Sequence, residues 1–344
     1  MDLKKENTQH KIYMQRCLDL AVKGLGNTYP NPLVGSVIVH NNVIIGEGWH
    51  RKAGQAHAEV NAIASVKNKA LLKESTLYVN LEPCNHTGKT PPCSTLIVSH
   101  QLKKVVVGCI DPFDKVNGSG VQSLKEAGIE VIVGVLEKES QELNKRFFTV
   151  QQKKRPYIIL KWAESTDGFI APLASERMER KPVFLSSKAD QVLVHQWRTQ
   201  EEAILVGAQT VIDDNPKLTS RWVKGGNPIR IVLDPNNRTE KSANIFNEEA
   251  KTVQITKAVL GQEKNISPKA FLSKTLAFLY DKGVSSILVE GGRKTLQYFI
   301  DQAQWDEARI FFSSVKLKEG IPAPSIGLEK RNENGENFII IRRP

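Results

Sequence analysis

Cysteine is scarce in this chain, four in 344 residues, so a disulfide framework is excluded and a reducing compartment suits the thiols. Uninterrupted apolar runs of about 18 residues are missing, and with them any segment that reads as a membrane-spanning helix. Residues 1–11 lack the apolar core of a secretion signal, and the expected location is cytoplasmic. There is no internal repeat and no low-complexity tract. No Gly-x-Gly-x-x-Gly follows a strand-like run, which argues against a Rossmann domain. Acidic side chains are outnumbered, 37 against 48 Lys and Arg, for a formal charge of +11. Because the basic residues are scattered, this field suits anionic small substrates and a phosphorylated cofactor as well as it suits nucleic acid. A small phosphorylated substrate, with neither nucleic acid nor membrane as partner, is the expectation.

What the chain does have is a split set of four residues: His57 and Glu59, then Cys84, then Cys93. One imidazole and two thiolates make a zinc site with a fourth position left open, and such a site lowers the pKa of a water to about 7. A neighbouring carboxylate that is not a ligand, Glu59, moves protons there, which is the equipment of a hydrolytic deaminase. Cys93 opens a helix-like run, where the helix dipole favours a thiolate. The competing readings are a closed zinc knot, with His86 as its only nearby fourth ligand, and a buried thiol pair. Between the cysteines lies an eight-residue loop, 85–92, where nucleoside and tRNA-editing deaminases usually hold Cys-x-x-Cys. His86 and Lys89 in it are donors suited to a phosphorylated ligand, although Lys89 alone would read as a solvated lysine.

Periodicity predicts an α/β protein. A first helix shows an apolar face at Tyr13, Met14, Cys17, Leu18 and Ala21, and strands 33–39 and 43–48 flank a hairpin turn with Asn41 and Asn42 at its left-handed positions. Strands at 76–83, 104–110 and 129–135 alternate with helices, and one polar helix spans 137–152, giving a three-layer α/β/α domain with a mixed sheet over residues 1–150. The basic run and proline at 151–156 read as a linker. Over 157–344, strands at 157–163, 202–207, 228–234, 252–256, 285–290 and 308–315 alternate with helices near 188–198, 273–281 and 293–301, a second α/β domain.

At this point the residues resemble a known family. Residues 30–35, 46–50, His57-Ala58-Glu59 and 83–93 resemble the deaminase domain of bifunctional riboflavin biosynthesis proteins, and 155–157, 160–161, 165–168, 213–219 and Glu290-Gly291-Gly292 resemble their reductase domain. The resemblance implies a cytidine-deaminase-like first domain and a dihydrofolate-reductase-like second one. It implies deamination of 2,5-diamino-6-(5-phosphoribosylamino)pyrimidin-4(3H)-one and NADPH-dependent reduction of the ribosyl side chain to ribityl. Zn2+ would sit on His57, Cys84 and Cys93, with Glu59 the proton shuttle and Asn31, His50, His86 and Lys89 contacting substrate; His50 also reads as a cap on a sheet edge. In the second domain Ala163, Phe184, Thr210, Asp214, Gly292, Arg293, Lys294 and Thr295 would hold NADPH. Lys161, Arg198, Leu218, Arg221 and Glu290 would hold the phosphoribosyl substrate. Association into a homo-oligomer is a further expectation from the family.

The residues support part of this independently. Glycines between an apolar strand and a helix let backbone N–H groups approach a pyrophosphate, though a Gly-Gly turn equally reads as a plain helix start. Arg198 and Arg221 can grip a phosphate bidentately, while Arg198 also reads as a helix C-terminal charge. Two stretches depart from the family pattern: a long charged loop at 169–181, and Asp111-Pro112-Phe113-Asp114, which is expected to keep its turn. A tRNA or nucleoside deaminase with a basic binding module and a zinc-stabilised binding protein stay open as alternatives.

Overall fold

The structure is a computed structural model, and it describes residues 3–86, 91–114, 116–173, 183–261, 266–327 and 337–343. The chain divides into two compact units, Met1–Lys153 and Lys154–Pro344.

In the first unit the order is α1 (Leu3–Ala21), β1 (Gly35–His40), β2 (Val43–Trp49), α2 (Ala58–Ser65), β3 (Thr76–Leu81), α3 (Cys93–Ser99), β4 (Lys104–Cys109), α4 (Ser119–Glu126), β5 (Glu130–Val133), α5 (Glu137–Leu143) and α6 (Lys145–Lys153). The sheet runs β2-β1-β3-β4-β5, with β1 antiparallel to both neighbours and β3, β4 and β5 parallel, the mixed sheet anticipated. Asn41 and Asn42 take the hairpin turn at φ of 48° and 63°, conformations that asparagine tolerates. Because side chains alternate along a strand, each strand feeds two cores. Ile38, Leu77, Val79, Val105 and Val107 pack with Ala62 and Ile63 of α2, Ile97 of α3 and Leu124 of α4. On the other face Val37, Val39, Tyr78 and Val106 meet Tyr13, Met14, Cys17 and Leu20 of α1. Three layers follow from that alternation.

The single polar helix expected over 137–152 is instead two. Asn144 breaks it: its buried amide accepts from the Leu33 backbone N–H at 2.8 Å and donates to the Leu33 carbonyl at 2.9 Å, an arrangement that turns the chain between α5 and α6.

In the second unit the order is β6 (Tyr157–Glu164), β7 (Phe169–Ala171), α7 (Lys188–Gln200), β8 (Ala203–Gly207), α8 (Ala208–Asp214), β9 (Ile229–Leu233), β10 (Thr252–Ile255), α9 (Pro268–Asp281), β11 (Ser286–Val289), α10 (Arg293–Asp301), β12 (Glu307–Phe312), β13 (Ile321–Pro322) and β14 (Phe338–Arg342). Seven strands form one sheet, β10-β9-β8-β11-β6-β12-β14, parallel throughout except for β14. Parallel strands buried on both faces read as continuous apolar runs, and β8 and β11 are such runs. Ile158, Leu160 and Ile287 pack on Leu272, Leu276 and Phe299, while Ile159 and Leu288 pack on Val194 and Trp197.

β7, β13, β14 and α8 come in addition to the predicted elements, and α9 begins five residues before its predicted start. Ser267 caps that helix by accepting from the Ala270 N–H, with Pro268 in its first turn, a start signal present in the sequence. Most of the charged loop at 169–181 lies outside the described residues; its first part is β7, paired with β13. Since the strands run parallel, β6, β8 and β11 end on the same edge, where α/β sheets form their crevices.

Candidate functional site

His57 is the residue before α2, extended at φ −71° and ψ 167°, so its ring leaves the helix axis while Glu59 sits in the first turn, 3% exposed. Cys84 lies beyond β3, and Cys93 is the first residue of α3. His57 Nδ1 lies 3.3 Å from Cys93 Sγ and 3.5 Å from Cys84 Sγ, and the three ligand atoms fall within 4.8 Å of one another. One imidazole and two sulfurs converging in a shielded pocket fit a zinc ion. Among the described residues this is the only cluster of three or more His, Cys, Asp or Glu groups that could hold a metal.

Electrostatics favour the thiolate at Cys84. A hydrogen bond from the Cys93 thiol, joined by the Cys93 backbone N–H at 3.4 Å, holds Cys84 as a thiolate with a pKa of about 4. Cys93 is pushed up as the proton-holding partner. Burial raises Glu59 to about 7.

His50, 2% exposed, stands edge-on to His57 at 5.5 Å between centroids. Its Nδ1 lies 3.2 Å from the Ala56 carbonyl and its Nε2 3.1 Å from the Asn31 amide, which suits an Nδ1–H donating and Nε2 accepting from Asn31. His50 thus stands beside one residue of the metal cluster, and Asn31 is joined to His50. His86 packs edge-on against Phe113 at 5.9 Å, and Lys89 lies outside the described residues. The Asp111–Asp114 stretch keeps its turn, Asp111 Oδ1 accepting from the Phe113 N–H at 2.8 Å.

The sequence reading overlooked the support beneath Cys84. Glu82, 3% exposed, accepts the N–H groups of Asp111, Gly118, Gly120 and Val121, tying the end of β3 to the start of α4. Gly120 packs so closely there that a Cβ would stand 2.1 Å from the Pro83 carbonyl oxygen. Replacing Gly120 with Val is therefore expected to displace the Pro83–Cys84 backbone, lose bound zinc and destabilise this unit by about 1–3 kcal/mol, the range for overpacking. Metal content of the purified variant checks it.

In the second unit a cavity of about 640 Å3 opens at the ends of β6, β8 and β11. Lys161, Ala163, Phe184, Arg198, Thr210, Asp214, Leu218, Arg221, Glu290, Gly292, Arg293, Lys294 and Thr295 all line it. Glu290 is gripped by both arms of Arg198, at 2.8 and 2.9 Å, with Lys161 Nζ 3.9 Å away. Burial would push this carboxyl up, but Arg198 and Lys161 outweigh it and hold the pKa at about 2. Lys161 is lowered by the same burial, with Glu290 resisting. The third nitrogen of Arg198 donates to the Thr219 carbonyl at 3.0 Å. With that fork engaged inside the protein, Arg221 and Arg293 are the cavity guanidinium groups left to face a ligand, and among the described residues Arg221 makes no ion pair; its charged form is weakened by burial and by Arg198.

The glycine turn after β11 is fitted closely. A Cβ on Gly207 would lie 2.4 Å from Thr295 Oγ1 and one on Gly291 2.7 Å from Thr295 Cβ, while the Gly292 N–H donates to Thr210 Oγ1 at 3.1 Å. The first turn of α10 thus opens on the cavity with Arg293 and Lys294 beside it, which fits the phosphates of a dinucleotide such as NADPH. Two further lining residues were not foreseen, His195 and Trp222, whose rings stack.

Comparison with known proteins agrees with both sites. The family described as the cytidine and deoxycytidylate deaminase zinc-binding region matches residues 7–109, and the RibD C-terminal domain matches 156–320. Riboflavin biosynthesis protein RibD of Aquifex aeolicus is 40% identical over 96% of this chain and 97% of its own length; that of Bacillus amyloliquefaciens is 37% identical over 92% and 87%. The crystal structure of a Thermotoga maritima diaminohydroxyphosphoribosylaminopyrimidine deaminase/5-amino-6-(5-phosphoribosylamino)uracil reductase superposes with a TM-score of 0.85 at 36% identity, covering 98% of this chain and 99% of that one. With such likeness along nearly its whole length, the chain belongs to the RibD family of riboflavin biosynthesis proteins.

Proposed function

We propose that residues 1–153 deaminate 2,5-diamino-6-(5-phosphoribosylamino)pyrimidin-4(3H)-one and that residues 154–344 reduce the ribosyl side chain of the product to ribityl. The observation that carries the reading is the convergence of His57, Cys84 and Cys93 beside the buried Glu59, in a chain whose other unit holds a phosphate-suited cavity.

His57 Nδ1 and the two sulfurs hold zinc, which when bound activates water as a nucleophile near neutral pH. Glu59 takes the proton of the attacking water and returns it to the ring nitrogen and then to the departing amino group, so that water and the 2-amino compound become the 2-oxo compound and ammonia. Asn31 and His50 orient the pyrimidine, with His50 fixed in turn by the Ala56 carbonyl. His86 and Lys89, which belong to the segment between the cysteines, are the remaining substrate contacts of this reading. In the second unit bound NADPH would supply the hydride that C1′ of the ribosyl chain takes up as the C1′–O4′ bond breaks and O4′ gains a proton to become the ribityl hydroxyl. Gly292, Arg293, Lys294, Thr295, Thr210, Asp214, Ala163 and Phe184 hold the cofactor. Lys161, Glu290, Leu218 and Arg221 hold the sugar phosphate, and Arg198 acts there by fixing the Glu290 carboxylate. Orientation and charge placement are most of what the protein adds to hydride transfer.

The test supplies the zinc-loaded protein with the diaminopyrimidine ribosyl phosphate and follows ammonia and NADPH together. Both signals, with NADPH loss dependent on prior deamination, support the two-step reading; silence in both overturns it. Arg221→Ala is expected to raise KM for the deaminated substrate by about tenfold or more, the effect of losing one charge-assisted hydrogen bond, while ammonia release stays unchanged.

A further inference from the structure

One side chain of the reductase cavity has a polar edge that the fold leaves unused. His195 stands on α7 one turn before Arg198, is 4% exposed, and stacks on Trp222 at 4.8 Å and 17° between ring planes. Both rings line the cavity. His195 Nδ1 is buried with no hydrogen-bond partner among the described residues, and an atom so placed is destabilising until something pairs with it.

The charges facing the ring come from four elements: Arg198 on its own helix, Arg221 on the loop between α8 and β9, Lys161 on β6 and Glu290 at the end of β11. The single carboxylate of this set, Glu290, is gripped by Arg198 and lies 3.9 Å from Lys161, so with Arg221 three cations meet one anion and net positive charge surrounds an unpaired ring nitrogen. A set of this kind is complementary to an anion. Burial, reinforced by Arg198 and Arg221, lowers the imidazole pKa to about 4, so the ring is neutral at neutral pH while the cavity holds no anion. A dianion placed against it reverses the sign of the local field and favours the imidazolium.

We propose that His195 is a recognition residue for the phosphate of the reductase substrate, presenting an imidazole N–H beside Arg221 and taking up a proton as the dianion enters. The proposal rests on the reductase reading above and adds to it a residue and a proton. Trp222 fixes the ring plane, so the N–H direction is set before the ligand arrives. Because the contact is to the phosphate, remote from C1′, the residue affects binding and leaves the chemical step alone.

Sulfate is the probe, since it stays dianionic across the range and any pH dependence belongs to the protein. Calorimetric titration of the full chain is expected to show sulfate binding tightening several-fold as the pH falls from roughly 6.5 towards 4, the window between an unperturbed and a strongly lowered histidine. His195→Phe keeps a ring on Trp222 and removes the donor. It should bind sulfate about tenfold more weakly and raise KM for the phosphoribosyl substrate by a like factor, with kcat and ammonia release unchanged. His195→Gln keeps a neutral N–H: it should recover affinity at the alkaline end and lose the pH dependence. Sulfate affinity and pH profile equal to wild type in His195→Phe would reduce His195 to a packing partner of Trp222. Sulfate binding requires no turnover, so histidine-dependent binding without NADPH oxidation would sink the reductase reading alone, and the reverse would sink this one alone.

Discussion

Glu59→Gln is expected to leave one zinc per chain and to slow ammonia release by about 10^2–10^4-fold, the contribution of a positioned general acid–base group. The isosteric amide fits the same buried space in the first turn of α2, so His57, Cys84 and Cys93 keep their places. What disappears is the group that moves the proton, since Glu59 lies outside the cluster of His57, Cys84 and Cys93 that would hold the metal. NADPH oxidation on the deaminated substrate should be unaffected. Zinc loss in this variant would mean that Glu59 is structural, and unchanged ammonia release would remove it from the mechanism.

The second large effect concerns stability. Glu290→Ala removes the one carboxylate that compensates Arg198 and Lys161, whose side chains are 11% and 14% exposed. Breaking a buried pair from one side strands a charge in a poorly solvated place and typically costs about 3–5 kcal/mol. Lys161 can shed its proton to escape that penalty, but an arginine cannot. Unfolding of the second unit is therefore expected to shift to markedly lower denaturant. Tryptophan fluorescence is the suitable readout, because Trp162, Trp197, Trp222 and Trp305 all belong to that unit. Reduction should be lost while deamination persists. A variant as stable as the parent would show that water reaches Arg198 freely.

The metal cluster was legible because its three ligands and Glu59 are distinctive residue types, close in sequence, each at the edge of a helix or strand pattern. The parallel strands of both sheets were legible for a similar reason, since a parallel strand buried on both faces is a continuous apolar run. Other features depend on partners far along the chain and leave no local trace. Asn144 reads as one more polar residue of a polar helix until Leu33, 111 positions earlier, is seen to claim both ends of its amide. Arg198 reads as a free phosphate ligand until Glu290, 92 positions later, engages its fork. His195 on an amphipathic helix looks like any half-buried histidine, and only the stack on Trp222 shows which way its edge points. β14 is a short apolar run whose strand character comes from pairing with β12 at the sheet edge.

The strand order of the second sheet also bears on how the molecule is made. Both neighbours of β6, namely β11 and β12, come more than a hundred residues later in the chain. As the polypeptide leaves the ribosome, the first unit can close its sheet and gather its three metal ligands long before Ser286–Val289 are synthesised. β6 then emerges as an apolar strand with both edges bare, and it must wait for Ser286–Val289 to slide between it and β8. Bare edges on a waiting strand invite pairing with other chains. The nascent reductase half, and not the metal-binding half, is thus the part of this protein most in need of protection during translation.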